Sequence, residues 1–146
     1  MYSVSRTDAG TYHFTTAKGL HYTITLIDYT EEYQLGDSDM ADGRIFFFIL
    51  ACKNPELKTG IDSRVGKTIE AFINDFLTRN TYAIIYYAAF DDGRQVKRES
   101  RFKRWWDQSV MKKDIEKYYF DMRGQTITLL VHRDNSFKDY ILSIFE

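Results

Sequence analysis

A chain of 146 residues has the size of one domain, and 44% hydrophobic with 28% charged residues excludes a disordered or collagen-like polymer. A net charge of −1 singles out no class of partner, and a lone cysteine, Cys52, excludes a disulfide within the chain. The departure from ordinary composition is 11 Phe and 11 Tyr, which favour a sheet-rich core.

Taken in chain order, residues 11–16 set Tyr12 and Phe14 against His13 and Thr15. After the turn Ala17-Lys18-Gly19, residues 20–27 alternate again through Tyr22, Ile24 and Leu26. Two alternating runs around a short glycine turn predict a β-hairpin. Residues 28–42 hold Asp28, Glu31, Glu32, Asp37, Asp39 and Asp42 with no Lys or Arg, and with Gly36 read as a loop. The apolar run within 44–51 is short enough for a strand buried on both faces, and Pro55 stops it.

Asp62 or Ser63 then caps a helix whose stripe is Val65, Ile69, Phe72, Ile73, Phe76 and Leu77, ending by Asn80. Residues 82–90 repeat the buried-strand pattern up to Asp91-Asp92-Gly93, and a helix over 94–110 is expected after them. Strands at 117–122 and 126–132 flank the turn Arg123-Gly124-Gln125. Asp134-Asn135-Ser136 caps a final helix carrying Phe137, Tyr140, Ile141, Ile144 and Phe145. The expectation is a single α+β domain over 1–146 with a mixed, mostly antiparallel sheet of about six strands. The order is β-β-β-α-β-α-β-β-α, with helices packed on the sheet and the central β-α-β parallel.

The segment with the clearest chemistry is the helix expected at 94–110. At ~100° per residue, Arg94, Lys97, Arg98, Arg101, Arg104 and Trp105 fall within one arc, while Phe102, Trp106 and Val110 take the arc that faces the sheet. Residues 94–113 carry eight basic and two acidic side chains. Guanidinium forks suit phosphate oxygens and an indole stacks on a base. The expected role is binding of an anionic partner, nucleic acid or a phosphate-bearing ligand, more in the manner of a binding domain than an enzyme. The competing reading is a solvated basic face cancelled by the acidic 28–42 stretch, within one molecule or between subunits of a homo-oligomer.

Other patterns carry less. Gly60 and Gly66-Lys67-Thr68 have the composition of a phosphate-binding loop, but five residues separate the two glycines where that loop has four. Asp37, Asp39 and Asp42 lose the alternation of a calcium loop at Ala41, and Phe48 stands where a bidentate Glu is needed. His13 and His21 are expected on one hairpin face without a third ligand, so no metal is expected. Cys52 reads as a buried structural thiol. No signal-peptide apolar core opens the sequence and no apolar run nears the roughly 20 residues of a membrane span, so a cytoplasmic location without a membrane partner is the expectation.

Two resemblances accompany these patterns. Tyr12-His13-Phe14 with Gly19 and Tyr22, Asp62-Ser63-Arg64-Val65 with Thr68-Ile69, and Asp92-Gly93-Arg94 with Arg98, Phe102 and Trp105 resemble a bacterial domain-of-unknown-function family, which implies no activity. The element order also resembles the GNAT acetyltransferases with their first strand and helices missing. That likeness implies acetyl-CoA as cofactor, with Arg64, Gly66 and Lys67 at its phosphates and Tyr118 or Tyr119 as general acid. Only one residue separates Arg64 from Gly66, a departure from that family's loop.

Overall fold

The computed structural model describes residues 1–8, 10–30, 43–54, 56–57, 62–78, 81–87, 113–122 and 124–145. Among these residues the chain forms seven strands and two helices. In order they are β1 (Ser5–Asp8), β2 (Thr11–Thr15), β3 (His21–Asp28), β4 (Arg44–Cys52), α1 (Ser63–Leu77), β5 (Tyr82–Tyr87), β6 (Ile115–Met122), β7 (Gln125–His132) and α2 (Lys138–Phe145).

The strands make one sheet in the order β1-β2-β3-β4-β5-β7-β6. Every neighbouring pair is antiparallel except β4 with β5. The mixed, mostly antiparallel α+β architecture therefore holds, with one strand more than the six predicted. The additional strand is β1. Its sequence Ser-Arg-Thr-Asp has no apolar alternation, because an exposed edge strand is held by backbone bonds to β2 and not by a buried face. Periodicity carries no signal for such a strand.

Period-two alternation sends successive side chains to opposite faces, and each face receives one of the two described helices. On one face Phe14, Ile24, Leu26, Phe48, Ile84 and Leu130 pack against Val65, Ile69, Ile73 and Leu77 of α1. On the other, Ile45, Ala83, Ile85, Ile127, Leu129 and Val131 pack against Ile141 and Phe145 of α2. Strands β5 and β7 are thus covered on both sides. This is why their sequences read as continuous apolar runs. Each isoleucine or leucine so buried contributes about 1.5–3 kcal/mol relative to exposure.

The prediction for β4 needs correction. Its first half is buried on both faces, but Ile49 and Leu50 are 37% and 38% exposed. On this strand the α2 layer reaches Ile45 and Phe47 and the α1 layer reaches Phe46 and Phe48, so Ile49 on one face and Leu50 on the other lie beyond their cover. Strand β6 begins two residues before the predicted 117, because Ile115 is drawn into the α1 side of the core at 1% exposure.

Local devices follow the sequence closely. Gly19 takes φ +92° in the β2–β3 turn, where the Thr16 amide binds the Leu20 carbonyl at 2.9 Å. Asp62, not Ser63, caps α1: its side chain accepts the Arg64 amide at 3.0 Å. Asn135 is the residue of 134–136 that caps α2, accepting the Phe137 amide at 2.8 Å. The helix expected at 94–110 and the acidic positions 31–42 lie outside the described residues.

Candidate functional site

The one parallel pair does not run the length of its strands. Pairing between β4 and β5 covers Arg44↔Tyr82 to Phe47↔Ile85 and stops. Beyond it β4 continues on β3 as far as Tyr22↔Cys52, and β5 continues on β7 as far as Tyr87↔Ile127. Each strand keeps its outer neighbour, so the sheet opens between them at their carboxyl ends. Carboxyl ends of parallel strands, where neighbours part, are favoured ligand positions in α/β sheets.

Helix α1 begins at this same end. At its far end Phe76 packs on Phe46 and Tyr82, which start β4 and β5, at ring separations of 5.1 and 5.3 Å. At its near end Asp62 receives a hydrogen bond from the Tyr2 hydroxyl, and Tyr2 stacks on Phe14 at 6.1 Å. Phe14 in turn stacks on Tyr22, the β3 residue opposite Cys52.

The residues that the GNAT likeness singles out are placed by this geometry. The Arg64 guanidinium lies 3.1 Å from Asp62 Oδ1 and 4.9 Å from the Tyr2 ring centre. Gly66 is buried within α1 and Lys67 is exposed on it. The Tyr2 hydroxyl bond first, then the Arg64 amide and guanidinium, hold the Asp62 carboxyl below its ordinary value against the opposing effect of burial. A carboxylate therefore occupies the positive end of the helix. A pyrophosphate at that end meets a like charge, and Gly66 lies too far along α1 to offer a loop amide. The residues 62–67 do not fit an acyl-CoA pyrophosphate.

Tyr118 and Tyr119 are separated by the pleat. The Tyr118 hydroxyl donates to Glu116 Oε2 at 2.7 Å, and Lys138 Nζ donates to Glu116 Oε1 at 2.8 Å. Glu116 is held below its ordinary range by the Lys138 bond first and the Tyr118 bond second, and the Tyr118 phenol is pushed up chiefly by its bond to Glu116. Tyr119 points to the opposite face, 56% exposed, with Lys117 Nζ 5.2 Å from its ring centre.

His13 and His21 do share a hairpin face, since His13 is paired with Thr23 and His21 with Thr15. His21 Nδ1 lies 2.9 Å from Thr15 Oγ1, while His13 Nδ1 is buried with no hydrogen-bond partner. Among the described residues no three His, Cys, Asp or Glu side chains come together as a metal site. Cys52 is half-buried, not fully buried as the apolar run implied, because it ends β4 where cover is lacking. Asp28, from the acidic stretch, binds the Thr30 amide at 2.9 Å and pairs with Arg44 at 3.6 Å.

Arg94, Lys97, Arg98, Arg101, Arg104 and Trp105 lie outside the described residues, as do Asp91 and Asp92. Sequence reasoning missed Tyr2, Asn54 and the Glu116–Lys138 pair. Asn54 binds the Gly19 carbonyl at 2.9 Å and the His21 amide at 2.8 Å, which ties the exit of β4 to the hairpin turn. No local pattern signals contacts made across tens of residues.

No family model matches the chain, and neither do any of the curated proteins or solved structures with which it was compared. No helix among the described residues is long and apolar enough to cross a membrane.

Proposed function

We propose that this chain is a binding domain that takes an anionic, phosphate-bearing partner, single-stranded nucleic acid first among them, on Arg94, Lys97, Arg98, Arg101, Arg104 and Trp105. The observation that carries the reading is the spacing of five cations and one indole at helical intervals. The cations bind backbone phosphates without regard to sequence, and the indole stacks on whichever base is presented. Supporting it, β5 ends at Tyr87, seven residues before Arg94 in sequence, at the end of the sheet where β4 and β5 part and where α1 brings Arg64 and Lys67.

The two tryptophans of the chain are Trp105 and its neighbour Trp106, so selectively excited tryptophan emission reports on these positions apart from the 11 tyrosines. Titration with a single-stranded oligonucleotide is expected to quench that emission at low salt, with affinity falling as salt rises. Changing Arg98 and Arg101 to Glu is expected to abolish binding while leaving the melting temperature unchanged. Equal binding by the double variant, or no binding by the wild type, overturns the reading.

A second reading, an acyl-CoA-dependent transferase of GNAT type or an inactive relative, is favoured by the single parallel pair that parts at its carboxyl ends. The poor fit of residues 62–67 to a pyrophosphate ranks it below the first. Acetyl-CoA at millimolar concentration stabilises the protein if this reading holds and leaves the melting temperature unmoved if it does not.

A further inference from the structure

We propose that a second copy of this chain adds its β6 alongside β6, antiparallel, about a twofold axis passing through Tyr119. The surface is the edge of the sheet, and its occupant is the same strand of another molecule.

The two edges of the sheet differ. At one edge β1 is four residues long, and its register slips between Arg6 and Asp8. A short, bulged strand is a poor template for another chain. At the other edge β6 is eight residues long, contains no proline, and pairs without interruption from Ile115↔His132 to Met122↔Gln125. Among the described residues β7 is its one strand partner.

The side chains of β6 fix a single favourable register. A twofold axis perpendicular to the sheet keeps each face continuous, so residues of equal parity oppose one another. With Tyr119 opposite Tyr119, Lys117 of each copy stands opposite Asp121 of the other. On the other face, Tyr118 stands opposite Phe120. Opposite charges and aromatic pairs are the favourable cross-strand combinations. Moving the axis to Tyr118 sets Glu116 against Phe120 and Ile115 against Asp121. Moving it to Phe120 sets Tyr119 against Asp121 and leaves Lys117 opposite no residue of β6. Only the Tyr119 axis pairs every charge within 117–121 with its opposite.

The geometry of the monomer suits this arrangement. Tyr119 is the most exposed aromatic among the large apolar side chains on the described surface, and Lys117 already lies against its ring. Asp121 spends one oxygen on the Thr126 hydroxyl at 3.1 Å and retains the other. A charged edge usually deters pairing. Here the two charges sit symmetrically about Tyr119, so the pattern repels other edges and complements itself.

The test is the molar mass of the full chain by sedimentation equilibrium, with far-UV circular dichroism as the control for folding. The wild type is expected at twice the 17.3 kDa chain mass. Lys117→Glu alone places two acids opposite each other, and Asp121→Lys alone places two bases, so each variant is expected to be monomeric. Carrying both changes restores opposite charges and is expected to restore the dimer. An equimolar mixture of the two single variants is also expected to dimerise, because each supplies what the other lacks. A wild type monomeric at all concentrations overturns the proposal. So does a dimer that survives both single reversals, which is the outcome if subunits pair through residues 28–42 and 94–105. Oligonucleotide titration reads the proposed function separately, since neither substituted position belongs to residues 94–105.

Discussion

The Tyr2 hydroxyl donates a hydrogen bond to the Asp62 carboxylate, joining the first residues of the chain to the cap of α1. The same hydroxyl accepts the Ala17 amide at 3.2 Å, and the Tyr2 amide binds Thr68 Oγ1 at 2.8 Å. One residue thus holds the N-terminal segment, the β2–β3 turn and the helix in place.

Tyr2→Phe keeps the ring on Phe14 and removes both hydroxyl bonds. Asp62 then loses the main cause of its lowered pKa, and its carboxyl is expected to titrate closer to 3.8. A lowered carboxyl pKa gives stability that is present above the unfolded value and lost as pH falls through the folded one. The variant is therefore expected to melt a few degrees below wild type at neutral pH, with the gap closing in acid below about pH 3.8. Carboxyl-carbon NMR titration and thermal melts against pH check both parts.

Glu116 binds Lys138 and Tyr118 together, and its influence is expected on both flanks of the stability profile. Its lowered pKa means that its contribution disappears as pH falls below 4.5. The raised values of Tyr118 and Lys138 mean that theirs is complete below 10.0 and 10.5 and fades as pH rises through the folded values. Glu116→Gln is expected to lower the plateau between these limits and flatten both flanks. Tyr118→Phe removes one bond at a largely solvated site and is expected to cost about 0.5–1 kcal/mol. Urea midpoints measured from about pH 3.5 to about pH 11.5, one unit beyond the ordinary values 4.5 and 10.5, decide it.

Asn135 is 5% exposed and serves two masters: Oδ1 accepts the Phe137 amide, while Nδ2 reaches the Tyr82 carbonyl at 3.3 Å. Asn135→Ala uncaps α2 and leaves a partly buried carbonyl short of a partner. A loss of about 1–3 kcal/mol is expected, larger than for Asn135→Asp, which keeps the cap. Chemical denaturation of the two variants separates the effects.

Gly10 and Gly124 have similar dihedrals, φ +83° and +78°, but different surroundings. A β-carbon on Gly10 meets the Leu26 carbonyl oxygen at 2.7 Å, whereas one on Gly124 meets nothing within 4 Å. The Leu26 amide also binds the Gly10 carbonyl at 2.7 Å, so backbone must give way. Gly124→Ala is expected to cost about 1 kcal/mol from its dihedral alone, and Gly10→Ala clearly more. Equal losses in denaturation midpoint at the two positions contradict this account.

How much of this was legible beforehand varies along the chain. The β2–β3 hairpin, α1 with its Asp62 cap and the β6–β7 hairpin rest on periodicity, turn glycines and caps, which act within a few residues. Strand β1 escaped because backbone bonding leaves no mark on side-chain pattern. The exposed half of β4 was misread because an apolar run cannot say where its cover ends. The cationic arc of residues 94–105 was plain in the sequence, and it is the experiment with Arg98 and Arg101 that tests its role.

The sequence alone determined the class of fold and the positions of most elements, since local propensity and alternation decide those. Only the tertiary structure decided that β4 and β5 part at their ends, that Tyr2 locks Asp62, that Glu116 gathers Tyr118 and Lys138, and that β6 lies at the sheet's edge. These depend on which distant segments become neighbours. That choice is made by burial summed over both faces of the sheet, a quantity no short window of residues contains.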